Sequence, residues 1–93
     1  MKESSLVRSC RTLAERRGCW LVKLWPLITG LPDNLLFAPG GKLVLIEFKT
    51  LIGVRSPRQR WVHARLAKLG HHVEVVRTRK AFEKMLDKLL ATE

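Results

Sequence analysis

The chain has 93 residues, with 18 Lys and Arg against 8 Asp and Glu, a formal net charge of +10, and 46% apolar residues. That length argues for a single domain over residues 1–93 with a modest core, and the apolar content excludes a disordered chain. The positive excess points to a polyanionic partner, and with no membrane-length apolar run and no signal-peptide core the expectation is a soluble cytoplasmic protein without membrane contact.

Residues 3–17 read as a first helix, with Leu6, Val7, Cys10, Leu13 and Ala14 at helical spacing and Gly18 as its stop. Cys19 to Trp25 is rich in strand formers and reads as the first strand. Pro26 to Pro32, with two prolines and Gly30, is a loop. Asn34 to Ala38 and Leu43 to Ile46 flank Pro39-Gly40-Gly41, the pattern of a β-hairpin. A second loop, Thr50 to Arg55, leads into Ser56-Pro57-Arg58-Gln59, where an N-cap serine, a proline at the first helical position and a glutamine three residues on form a capping box. That helix runs to about Leu69 and stops at Gly70. Val73 to Val76 is the fourth strand, and Thr78 caps a last helix to about Leu90 whose apolar face is Phe82, Met85, Leu86, Leu89 and Leu90.

The order is αβββαβα. A hairpin meander followed by a helical crossover implies an α/β fold with a mixed four-stranded sheet flanked by helices, the fourth strand parallel to the third. Leu43 to Ile46 is apolar at every position, as expected of a central strand covered on both faces. Cys10 and Cys19 match no metal-ligand spacing with His63, His71 and His72, and read as small buried hydrophobes in a reducing compartment. Of Trp20, Trp25 and Trp61, at least one is expected in the core, while an exposed one would suit an interface. Arg77, Arg79 and Lys80 read as a solvated face.

A turn centred near Gly40 places residue n opposite about 80 − n across an antiparallel pair, which sets Asp33 against Glu47. Side-chain alternation puts Glu47 and Lys49 on one side. Two carboxylates and an ammonium at the end of a buried strand suit divalent-metal phosphodiester chemistry. Asp33 and Glu47 would hold Mg²⁺ or Mn²⁺, the Phe48 carbonyl would complete the protein ligands, and Lys49 would orient water or stabilise developing charge. Glu3 lies on the inward side of the first helix, where it could reach a metal water or instead serve as a first-turn acid. Gln59 could serve the site or the capping box, and both only if its side chain is shared. Lys23, Arg55, Arg58 and Arg60 surround the site as phosphate contacts that position DNA without reading bases.

Together these residues resemble the VRR-NUC family, the virus-type replication and repair nuclease domain of the PD-(D/E)xK superfamily. The likeness runs from Glu3-x-x-Leu6-Val7 through Thr29-Gly30-Leu31-Pro32-Asp33, Pro39-Gly40-Gly41, Glu47-Phe48-Lys49 and Pro57-Arg58-Gln59-Arg60-Trp61 to Leu69-Gly70. The resemblance implies a restriction-endonuclease-like fold and metal-dependent DNA cleavage, with Glu3, Asp33, Glu47, Lys49 and Gln59 as the active-site set. Short stand-alone members look like homodimeric resolvases of four-way junctions, in a bacterial or phage-infected cell. The alternatives are a non-catalytic DNA-binding or architectural module and a flap or fork nuclease that needs a partner.

Overall fold

The computed structural model describes residues 3–25 and 28–91. Pro26, where the expected first loop begins, lies outside them, as does Lys2. Seven elements follow in the expected order: α1 (Glu3–Arg16), β1 (Trp20–Lys23), β2 (Asn34–Ala38), β3 (Lys42–Phe48), α2 (Pro57–Lys68), β4 (Val73–Val76) and α3 (Arg79–Ala91). The strands lie in sequence order in one sheet, with β1–β2 and β2–β3 antiparallel and β3–β4 parallel. The hairpin register pairs Asn34 with Ile46 and Ala38 with Lys42, so the turn centres where the glycine pair predicts. Gly40 and Gly41 both take positive φ (80° and 75°), a conformation that β-branched or bulky residues avoid.

Alternation sorts the sheet into two faces. One carries Leu21, Leu36, Ile46, Phe48 and Val76, which join Leu6, Cys10, Leu13 and Ala14 of α1 and Phe82 and Leu86 of α3 in the core. Each such fully buried large side chain contributes roughly 1.5–3 kcal/mol of transfer free energy. Both cysteines are buried, and burial pushes the Cys10 thiol up to about 11. Arg17, just past α1, pairs with Asp87 of α3 at 2.9 Å, and Lys42 of β3 donates to the Leu89 carbonyl in the last turn of α3 at 2.7 Å.

The opposite face departs from expectation. Here α2 packs near β4, burying Val62, His63 and Val73 and leaving the rest of the sheet open. Trp20, Phe37 and Leu43 are exposed and Val22, Leu35 and Leu45 half-buried. The strand β3 is therefore covered on both sides only at Ile46, Glu47 and Phe48, because one twelve-residue helix spans only part of a four-stranded sheet. All three tryptophans are exposed, and none packs in the core. The first strand is also shorter than its composition suggests. Pairing starts at Trp20, because Cys19 still donates to Ala14 in the helix-terminating turn, and it ends before Trp25.

Candidate active site

One rung beyond Asn34–Ile46, the hairpin register sets Asp33 opposite Glu47. Backbone bonds hold both ends of this constellation in line with the sheet: Leu24 N–H donates to the Asp33 carbonyl at 2.7 Å, and Lys49 N–H donates to the Val76 carbonyl at 3.0 Å. Glu47 is 3% exposed. Its Oε2 accepts from Gln59 Nε2 at 3.3 Å and lies 3.9 Å from Lys49 Nζ, while its Oε1 is buried without a partner. Burial raises the Glu47 carboxyl to about 7; the Asp33 and Glu3 charges add to the rise and Lys49 opposes it. The ammonium at 3.9 Å thus offsets only part of what desolvation and two carboxylates impose.

The Gln59 side chain is shared between the helix cap and Glu47. Its Oε1 accepts from the Ser56 backbone N–H at 2.9 Å and completes the capping box, while its Nε2 reaches Glu47. An amide can do this because its two ends have opposite hydrogen-bond character. The cap thereby fixes α2 and aims the amide at the site. A close approach by Gly30 sets the same helix against the Asp33 segment: Gly30 has φ 96°, and a Cβ there would stand 2.9 Å from the Arg58 carbonyl and from Val62. Arg58 Nε donates to the Thr29 carbonyl at 3.1 Å across this contact.

Glu3 is exposed at the start of α1 and borders, with Asp33, Lys23, Arg8 and Arg11, a groove of about 330 Å³. Lys23 is exposed on the same groove. Arg58 and Arg60 are exposed on α2; the Arg58 guanidinium lies 4.6 Å from the Trp61 ring centre, and Arg60 donates to the Arg55 carbonyl at 2.8 Å. Arg55 is half-buried, with Nη1 3.1 Å from His63 Nδ1. A guanidinium only donates, so His63 accepts at Nδ1, and burial followed by the Arg55 and Lys49 charges lowers its pKa.

Three residues beside the site were given no part in it by the sequence. Asn34 is 2% exposed and donates from Nδ2 to Asp33 Oδ1 at 2.8 Å, orienting that carboxylate; its place directly after Pro32-Asp33 was the only signal in the sequence. His63 is buried beneath Arg55. Arg77 corrects the solvated-face expectation: it is half-buried and donates to the Thr50 and Gly53 carbonyls, bracing the β3–α2 loop. Nothing local distinguishes it from Arg79.

The donor set fits a hard divalent cation. Asp33 and Glu47 offer carboxylates and Phe48 a carbonyl between Glu47 and Lys49, and the buried Glu47 Oε1 has no hydrogen-bond donor, a need that such an ion would meet. Among the described residues no group of three or more His, Cys, Asp or Glu side chains is poised to hold a metal. Asp33, Glu47 and the Phe48 carbonyl would supply only the protein part of such an ion's oxygen shell. No helix of the described residues is long and apolar enough to cross a membrane.

No family model matches the sequence. A stretch of 47 residues is 43% identical to the protein named "Putative nuclease p44" of Acyrthosiphon pisum secondary endosymbiont phage 1, covering half of this chain and half the length of that curated relative. The fold superimposes on a solved structure titled "VRR_NUC domain" with a TM-score of 0.80, at 26% identity, over 91% of this chain and 94% of the other.

Proposed function

We propose that this chain, whose fold superimposes on that of a VRR-NUC domain, is a divalent-metal-dependent endonuclease that cuts branched DNA, four-way junctions above all, as a homodimer. The observation that carries the reading is the buried Glu47 carboxylate, with one oxygen unpartnered, beside Asp33, Lys49 and Gln59 on a chain of net charge +10. Carboxylates on a DNA-facing surface repel phosphate unless a cation intervenes, which disfavours a purely architectural role.

Asp33, Glu47 and the Phe48 carbonyl would hold Mg²⁺ or Mn²⁺, with Glu3 reaching it through a water. When bound, the ion supplies Lewis acidity to water and phosphate. Lys49 then orients the attacking water and offsets charge developing on the phosphate. Asn34 holds the Asp33 carboxylate and Gln59 the Glu47 carboxylate, so neither has to reorganise as substrate arrives. Lys23, Arg58 and Arg60 take flanking phosphates and Arg55 the strand nearest the loop, contacts that position DNA without selecting sequence.

Two-fold symmetric cutting of a junction calls for two matched sites, which a C₂ dimer provides. The open sheet face supports this assembly. Two chains that each carry +10 repel, and Trp20, Val22, Leu35, Phe37, Leu43 and Leu45 form a charge-free apolar surface on which such chains can meet.

The deciding experiment incubates labelled four-way junction and matched linear duplex with the protein in Mg²⁺, Mn²⁺ or EDTA. Paired, metal-dependent cuts in the junction are expected, reduced about 100-fold or more by Asp33→Ala or Lys49→Ala. Cutting that survives both substitutions would sink this mechanism.

A further inference from the structure

The loop that joins the site's lysine to α2 exposes three apolar side chains: Leu51, Ile52 and Val54 are 71%, 91% and 76% exposed. Such exposure in a linker is costly unless used. The loop is also built rigid. Gly53 N–H closes a turn onto the Thr50 carbonyl at 3.2 Å, and Arg77 spans the turn by donating to the Thr50 and Gly53 carbonyls. A Cβ at Gly53 would lie 2.8 Å from the Thr50 hydroxyl, so a side chain there would require that hydroxyl to move. Its apolar tip is thus held out into solvent by polar contacts at its base.

We propose that Leu51 and Ile52 form a wedge that packs against base-pair faces opened at a branch point, and so select branched DNA over continuous duplex. The inference rests on the nuclease reading and adds the element that recognises the substrate's shape. Position supports it: the loop leaves the sheet at Lys49 and enters α2 two residues before Gln59, so Ile52 stands within about 11 Å of the Lys49 backbone. Charge supports it too, because Lys49 and Arg55 bracket the loop in sequence, and Arg77 and Arg79 line the groove of about 580 Å³ that Leu6, Leu51 and Ile52 share with them. An apolar tip set among cations suits a polyanion that presents an apolar surface. Continuous duplex stacks its base faces away, whereas a branch point leaves terminal pairs that an aliphatic side chain can cover. Preorganisation by Arg77 means that little loop entropy is lost on contact.

The test compares the full chain with the double variant Leu51→Ser/Ile52→Ser and with Ile52→Phe. Binding to a four-way junction and to linear duplex is measured in EDTA and in Ca²⁺, with 2-aminopurine at the branch, beside the mass of each protein by light scattering. The wild type is expected to prefer the junction and to change the branch fluorescence. The double variant should bind duplex as the wild type does, lose about tenfold in junction preference and lose the fluorescence change, while Ile52→Phe keeps both. A wild-type preference that persists in the double variant overturns the wedge and leaves the nuclease reading standing. A change in mass overturns it in favour of a protein–protein contact. A wild type with no junction preference overturns both the wedge and the branched-substrate reading.

Discussion

At neutral pH the Glu47 carboxyl sits near the middle of its titration, because burial and two neighbouring carboxylates raise it from 4.5 to about 7. The folded chain therefore holds a proton that the unfolded chain has released. The associated stability is fully present below about pH 4.5 and is lost as the pH rises through about 7. In EDTA, the difference in urea-unfolding free energy between wild type and Glu47→Gln should shift by about 3 kcal/mol in the variant's favour between pH 4.5 and 8. A flat difference would show that Glu47 is not desolvated in solution. Gln59→Glu makes a second residue-scale prediction. A carboxylate oxygen can still accept from Ser56 N–H, so the helix cap should be kept, whereas the donor to Glu47 is replaced by a second negative charge. The expected outcome is at least about 10-fold weaker cutting, with the pH profile displaced to higher pH. Unchanged cutting would place Gln59 in the cap alone.

The elements that carry the site are joined by one close backbone contact. Gly30 lets the Asp33 segment sit on the first turn of α2, the turn that holds Gln59. Gly30→Ala meets both a positive φ and a Cβ contact at 2.9 Å with backbone, so the helix and the segment must separate. A loss of roughly 2–4 kcal/mol in urea-unfolding free energy is expected. Activity should fall further than that of Gly18→Ala, where a Cβ meets nothing within 4 Å. Equal activity in the two variants would dismiss the contact as a site determinant. The local signals for α2 were complete in the sequence, since Ser56, Pro57 and Gln59 carry a capping box that needs nothing from elsewhere in the chain. The docking of that helix had no such signal, because Thr29 and Gly30 meet Arg58 and Val62 only after the sheet has formed.

For the whole molecule, the unequal coverage of the sheet is the governing feature. Two helices close one face and one helix closes part of the other, leaving Trp20, Phe37 and Leu43 in solvent. If this face joins two copies, Leu43→Lys should convert the dimer to a folded monomer. Light scattering would show the mass halved, with circular dichroism unchanged and paired junction cuts reduced to single nicks. A dimer that survives the substitution would move the interface elsewhere. The charge of the whole chain predicts that duplex and junction binding both weaken steeply between 50 and 200 mM salt, at about 10³-fold for six or more phosphate contacts.

What the sequence determined by itself was everything set by short-range chemistry. The Pro-Gly-Gly turn specified the hairpin register, the register placed Asp33 against Glu47, alternation put Lys49 beside Glu47, and helix periodicity marked the core faces of α1 and α3. What only the tertiary structure decided depends on groups far apart in the chain. Burial of Glu47 beneath α2, the brace from Arg77 to the loop, the exposure of every tryptophan and the open apolar face follow from where three helices lie on four strands. Turn geometry and side-chain alternation act over a few residues and so can be read along the chain, whereas desolvation and surface coverage are properties of the packed whole and have no local signature.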